Sequence, residues 1–371
     1  MSVRKLVTED GEIYTGTGFG ADLRDGISIP FELVFNTSSV GYQEILTDPS
    51  YTDQGVVFAY SLVGNYGINR YDGESGRLSP SAAIVREATA EPSNFRSERT
   101  LSGVLVRSGV PGISGIDTRR LVRSIRDRGS RRAVLADAQI PAEECVRLIR
   151  ETPARRDQVS RVSPKAVSVL PAEGEERLTV AAVDCGMKEN IVRSLRRLGC
   201  RVIRVPYNTA GGEILSFHPD GVLFSNGPGD PEDVPETVRT ARELLGQLPV
   251  FGICLGHQLI ALSRGAKTYK LKFGHRGGNH PVMDVRTGKI EITSQNHSYA
   301  VRAESLAGTG LAVTHVNLLD RTVEGLEDKD GLVFSVQYHP ESAPGPQDST
   351  YLFERFTENM ARGKNRRTGN A

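Results

Sequence analysis

The sequence predicts an α/β protein in two parts: a β-rich N-terminal domain, then a domain whose largely parallel central sheet is flanked by helices. Three observations carry this reading. The first 150 residues hold short apolar runs punctuated by turn residues, with few helical periodicities. Residues 151–177 turn polar, with Pro153, Pro164, Pro171 and a Glu-Gly-Glu-Glu-Arg cluster. From Leu178 onward, strand-length apolar runs alternate with amphipathic stretches, the grammar of βαβ units and a parallel sheet. A length of 371 residues exceeds one typical domain, so two cores are expected. The resulting division is 1–150, a linker at 151–177, a second domain at 178–362 and a polar tail at 363–371.

In the first part, residues 5–9 and 12–15 flank Asp10-Gly11, a strong hairpin signal. Residues 31–35, 56–60, 82–86 and 133–136 read as further strands. Asp117 is placed to cap a helix that carries Leu121, Val122 and Ile125 on one face and stops at Gly129; Pro141 opens a second helix with Val146, Leu148 and Ile149. The hydroxyl- and amide-rich stretch from Asn36 to Tyr51 reads by composition as a capped turn or loop.

In the second part, residues 178–183, 201–205, 221–224 and 250–253 read as strands. Helices are expected over 188–198, closed by Gly199, near 235–245, and directly after Cys254. Beyond Gly265 the pattern returns to strands and hairpins, one of them around Thr287-Gly288, and a final helix near 348–360 buries Phe353, Phe356 and Met360. In such a fold, sites form at the carboxyl ends of the strands. Three turns stand there: Asp184-Cys185-Gly186, Ser225 to Pro231, and the turn at Cys254.

Composition excludes several classes of function. Forty-six Lys+Arg against 45 Asp+Glu leave a formal net charge of +1, so no bulk field attracts nucleic acid or membrane. No apolar run approaches the ~18 residues of a membrane span, and the charged N-terminus lacks a signal-peptide core. Cys145, Cys185, Cys200 and Cys254 are far apart with no C-x-x-C pair, which points to a reducing compartment, hence the cytoplasm. No Walker-type or dinucleotide-binding glycine loop is present. His275 and His280 have no zinc-like spacing and no cysteine or carboxylate companion, so no metal site is expected.

The chemistry centres on residues 249–260, where an apolar strand ends in Gly252-Ile253-Cys254-Leu255-Gly256 and a helix follows at once. Small residues around a nucleophile allow a turn sharp enough to present its side chain at the strand's end. The helix start brings N–H groups and a positive dipole end toward the sulfur. A buried structural cysteine is the competing reading. A cysteine nucleophile needs a base. His339 follows an apolar strand and precedes Glu341 at a spacing of two, so an extended chain lets the carboxylate orient the imidazole. The alternative for His339 is a strand-end histidine bonded to a carbonyl. The Leu255 N–H and the Gly227-Pro228-Gly229 loop can supply oxyanion donors, although the loop alone also reads as a plain Gly-Pro turn. His257 is assigned to packing or capping.

Together these segments, with Ser225 to Pro231 and His339-Pro340-Glu341, resemble the class I (triad-type) glutamine amidotransferases. Phe35-Asn36-Thr37-Ser38 with the run from Gly41-Tyr42-Gln43-Glu44 to Tyr51, Gly64-Asn65-Tyr66-Gly67, Ile116-Asp117-Thr118-Arg119 and residues 272–281 resemble more narrowly the small-subunit family of carbamoyl phosphate synthetase, over about residues 5–357. The resemblance implies that Cys254 attacks the side-chain amide of L-glutamine, that His339 protonates departing ammonia and activates water, and that Glu341 positions His339. It implies a glutamine pocket of Ser38, Gly227, Gly229, Leu255, Gln258, Asn296, Ser298 and Tyr299, with Ser38 reaching in from the first domain. It also implies a partner, a large synthetase subunit that uses ATP and magnesium; this chain itself carries no cofactor. The resemblance further implies that the product feeds arginine synthesis, pyrimidine synthesis or both. Residues 298 and 299 depart from the Gly-Phe common in the family, and a required positive φ at Ser298 would strain it. Two other functions remain open: a non-catalytic scaffold for the large subunit, and a glutaminase serving a different synthetase.

Overall fold

The computed structural model of the chain describes residues 2–368. They form two compact units. One runs to Arg155 and includes Lys272–Arg276; the other comprises Arg156–Leu271 and the described residues from Gly277 onward.

The first unit is built on a closed barrel of seven strands, in the order Val3–Thr8, Ile13–Gly20, Pro111–Ser114, Ala82–Ile84, Gln54–Phe58, Phe31–Asn36 and Arg131–Asp137. The last strand closes on the first, antiparallel, with Leu6 opposite Leu135. The Asp10-Gly11 turn joins the first two strands, and Gly11 takes a φ of 85°, as a tight hairpin requires. Alternation along Phe31–Asn36 sends Leu33 and Phe35 into one apolar cluster with Leu121 and Ile125, and Val34 into another. The helix Thr118–Arg128 begins at Asp117, whose side chain accepts from the Arg120 N–H, and ends at Gly129. Pro141 precedes the helix Ala142–Glu151 as expected.

The segment from Asn36 to Tyr51 departs from the loop reading. It folds into a helix, Tyr42–Thr47, and a 3-10 turn, Pro49–Tyr51. Its first N–H groups are satisfied from a distance, since the Tyr66 hydroxyl accepts from both Gly41 and Tyr42. Tyr42, Ile45 and Leu46 are buried in the core. A second unforeseen helix, Leu101–Arg107, is capped by Thr100.

The second unit is a ten-stranded sheet, ordered Ser168–Leu170, Cys200–Pro206, Leu178–Asp184, Gly221–Phe224, Val250–Ile253, Val333–Val336, Val323–Asp328, Leu311–Asn317, Thr268–Asp284 and Ile290–Val301. From Cys200–Pro206 to Val333–Val336 the pairing is parallel throughout. The crossovers are the helices Glu189–Arg197, Gly211–Ser216, Pro235–Leu244 and Leu255–Ser263. Strand residues that alternate in sequence fall into two apolar clusters, Ala181 and Val183 in one and Val180 and Ala182 in the other, so both faces of these strands are covered. The final helix, Tyr351–Thr368, seats Phe353, Phe356 and Met360 in the second of these clusters.

Two expectations at the margins change. Residues 151–177, read as a linker, contain a helix, Gln158–Val162, and a strand, Ser168–Leu170, that pairs antiparallel with Cys200–Pro206. Each is too short to show a periodicity. The polar tail expected from 363 continues the last helix to Thr368, and residues 369–371 lie outside the described residues.

Candidate active site

Four neighbouring parallel strands end on the same edge of the sheet, and each releases a loop there. Val250–Ile253 pairs in register with Val333–Val336 on one side and with Gly221–Phe224 on the other. Cys254 therefore leaves one strand beside the segment carrying His339 and beside the Ser225 to Pro231 loop. The Cys254 N–H donates to the Val336 carbonyl at 2.9 Å, and the His339 N–H to that of Ser294 at 2.9 Å.

Cys254 has φ 55° and ψ −101°, a conformation that L-residues rarely hold and that a rigid surround must impose. The turn is closed by Gly256, where an added Cβ would lie 2.1 Å from the Phe224 carbonyl oxygen. The Gly256 N–H donates to Ser225 at 3.0 Å. The Leu255 N–H lies at the first position of the helix, directly after Cys254, where an oxyanion donor belongs. At Gly227 a Cβ would meet the Cys185 carbonyl oxygen at 2.3 Å, so the loop lies too close to its neighbour for any larger residue.

His339 Nδ1 donates to Glu341 Oε1 at 2.7 Å, which fixes the ring and leaves Nε2 for proton transfer. Both residues are buried. Lys188 donates its Nζ to the same Oε1 at 2.7 Å. Burial alone would lower the His339 pKa, but the Glu341 carboxylate and the Cys254 sulfur outweigh it, and Lys188, to hold it at about 10 instead of 6.5. Burial would likewise raise Glu341, yet Lys188 and His339 bring it from 4.5 down to about 2. The carboxylate thus stays charged, and the imidazole is well placed to take a proton from Cys254 and hold it.

Lys188 was not legible in the sequence, where it reads only as the first residue of a helix. Its position depends on the Asp184 turn. Asp184 accepts from the N–H groups of Gly186 and Met187 at 2.7 Å each, and Asn226 accepts from the Lys188 N–H at 3.1 Å. Gln337 is a second unforeseen group, with its Nε2 at 3.7 Å from the Cys254 sulfur. The period-two rule that links His339 to Glu341 reaches Gln337 as well.

Of the expected pocket residues, Leu255, Gln258 and Asn296 are buried beside Cys254: the thiol donates to the Asn296 carbonyl at 3.6 Å, and Gln258 donates to the Tyr299 carbonyl at 2.8 Å. Gly229 follows in the same loop as Gly227, with φ 90°. Ser298 and Tyr299 lie in the extended strand Ile290–Val301, and Ser298 is not among the residues with positive φ. The strain that a glycine-specific backbone would have imposed there is absent. Ser38 belongs to the first unit, where its N–H donates to Asn36 Oδ1 at 2.7 Å. His257 is fully buried, shares a hydrogen bond with the Ser335 hydroxyl at 2.9 Å, and is pushed down to a pKa of about 3 by burial and by His315. It packs, as expected.

A parallel sheet, a strained cysteine at a strand-to-helix elbow and a His–Glu pair on the adjacent strand end define a class-I glutamine amidotransferase, and residues 181–359 match the family model of that description. Residues 6–135 match a second model, the carbamoyl-phosphate synthase small chain, CPSase domain. The chain is 51% identical to the carbamoyl phosphate synthase small chain of Bacillus caldolyticus over 353 residues, 95% of each chain. It is 51% identical to the pyrimidine-specific small chain of Halalkalibacterium halodurans over 98% of each, and 52% identical to the small chain of Staphylococcus epidermidis strain RP62A over 96% of each. The chain belongs to the carbamoyl phosphate synthase small chain family.

Proposed function

We propose that this chain is the glutaminase subunit of a carbamoyl phosphate synthase. It hydrolyses L-glutamine through a cysteine thioester to glutamate and ammonia. The ammonia passes to a large subunit, which uses ATP and magnesium to make carbamoyl phosphate from bicarbonate. The observation that carries this reading is the Cys254 elbow set in register beside the buried His339–Glu341 pair.

The chemistry follows from the geometry. The Cys254 sulfur, its proton transferred to His339, attacks the amide carbon, and the carbonyl electron pair moves onto oxygen beside the Leu255 N–H. His339, protonated and braced by Glu341, gives its proton to the leaving nitrogen, so that ammonia departs and the thioester remains. The now neutral imidazole takes a proton from water, the resulting hydroxide attacks the thioester, and glutamate leaves as the sulfur is regenerated. Gly227, Gly229, Leu255, Gln258, Asn296, Ser298 and Tyr299 form the glutamine pocket in this reading, with residues 1–150 and 178–362 as the working domains. Free ammonia is mostly protonated in neutral water and then not nucleophilic, which is why the product needs a partner held close by. The cytoplasm, where ATP and glutamine are both abundant, is the expected compartment; no described helix is long and apolar enough to cross a membrane.

Ammonia release from glutamine, measured with the large subunit present, tests the reading. Cys254→Ser should lower it on the order of 10³-fold or more. Wild type and variant equally inactive would favour a scaffold in place of an enzyme.

A further inference from the structure

Gln337 has no part in the steps above, yet its side chain is fully buried against the reacting atom. Its Oε1 accepts from Gln258 Nε2 at 2.9 Å, and the same Gln258 nitrogen donates to the Tyr299 backbone carbonyl at 2.8 Å. These contacts orient both amides. A backbone carbonyl can only accept, so Gln258 must present its NH₂ group there. That NH₂ also faces Gln337, which must answer with its oxygen and turn its own NH₂ toward the sulfur at 3.7 Å. The Asn296 carbonyl, 3.6 Å from the sulfur, serves the opposite protonation state: it accepts from the thiol S–H but offers only lone pairs to a sulfur anion.

We infer that Gln337 is a further catalytic residue of this site, donating an N–H to Cys254 Sγ once the thiol proton has moved to His339. It gives up no proton and forms no covalent bond. As the sulfur pair closes on the amide carbon, the N–H keeps the sulfur directed; in the neutral thioester the interaction weakens, and it returns when the sulfur leaves as an anion. Gln258 and the Tyr299 carbonyl act through Gln337, as the groups that fix which way its amide faces.

The catalytic meaning of this inference rests on the glutaminase reading, but its first test needs no glutamine. Alkylation of Cys254 by iodoacetamide at neutral pH is followed by mass spectrometry of the Cys254 peptide. All four cysteines are buried, and burial raises the pKa of the other three thiols; following the Cys254 peptide alone reads the signal at one site. Gln337→Leu should slow alkylation about tenfold, the usual scale for one hydrogen bond to a charged group. In the complex with the large subunit it should lower kcat for glutamine by about 10–100-fold on the same basis, with KM nearly unchanged. Gln337→Glu keeps the shape and the acceptor for Gln258 but sets a carboxylate against the sulfur, and should slow both reactions further; it decides the matter if the leucine variant does not fold. Wild-type alkylation in the folded variants would overturn the inference, as would a loss confined to KM or slowed alkylation with unchanged kcat. Slowed alkylation in a protein whose wild type hydrolyses no glutamine would leave Gln337 in place beside the sulfur and remove the glutaminase reading instead.

Discussion

Lys188, His339 and Glu341 are three buried ionisable groups that share one carboxylate oxygen. A buried carboxylate is tolerable only when paired, and removing one partner of such a pair typically costs about 3–5 kcal/mol. Lys188→Met should therefore destabilise the chain by about that amount in urea unfolding and lower glutamine hydrolysis, because Glu341 would then hold its charge against His339 alone. A stability change well under 1 kcal/mol, on the scale of an exposed pair, would show that Lys188 does not support the triad. The pH dependence has a defined sign. The raised pKa of His339 contributes stability that is fully present below 6.5 and is lost as pH rises through about 10. The depressed pKa of Glu341 contributes stability present above 4.5 and lost as pH falls through about 2. Both act in full only between 4.5 and 6.5. The stability advantage of wild type over His339→Asn, followed by denaturant unfolding across pH, should be constant in that window and shrink above it. An advantage that grows with alkalinity would contradict the ion pair.

At the scale of the element, the elbow concentrates the strain. Holding Cys254 at φ 55° costs on the order of 1–3 kcal/mol, which glycine would relieve while losing about 0.5–1 kcal/mol through greater freedom in the unfolded chain. Cys254→Gly should thus be more stable than Cys254→Ala by about 1 kcal/mol, with both inactive. Comparing thermal melts of the two separates backbone strain from loss of the sulfur, and an alanine variant as stable as the glycine one would mean that the turn is unstrained. The elbow was legible in the sequence because its requirements are local: a strand, two flanking glycines and a helix start. The helix Tyr42–Thr47 was not, because its capping group is Tyr66 and its stability comes from burial among residues distant in sequence. Composition misses that segment's conformation because its amides and hydroxyls, Gln43, Thr47 and Ser50 among them, are buried.

At the scale of the molecule, function extends past this chain. A glutaminase whose product loses its nucleophilicity on protonation gains from working only when its partner is ready. Glutamine turnover should rise when the chain is mixed with the large synthetase subunit, measured as ammonia release by the chain alone and in the complex; equal rates would count against coupling.

What the sequence determined by itself were the quantities that depend on neighbours in the chain: the alternation of strand and helix, the Asp117 and Gly129 ends of one helix, the Asp10-Gly11 hairpin, the elbow at Cys254, and the spacing that joins His339 to Glu341. Its motifs also carried the family. Only the tertiary structure decided which strands lie side by side, and through that order it set Cys254 beside His339, brought Lys188 from another strand end to Glu341, and turned the amide of Gln337 toward the sulfur. Those contacts depend on the register of parallel strands separated by whole helices. Register is fixed by burial on both faces of the sheet, a property of the assembled core that no local pattern of residues contains.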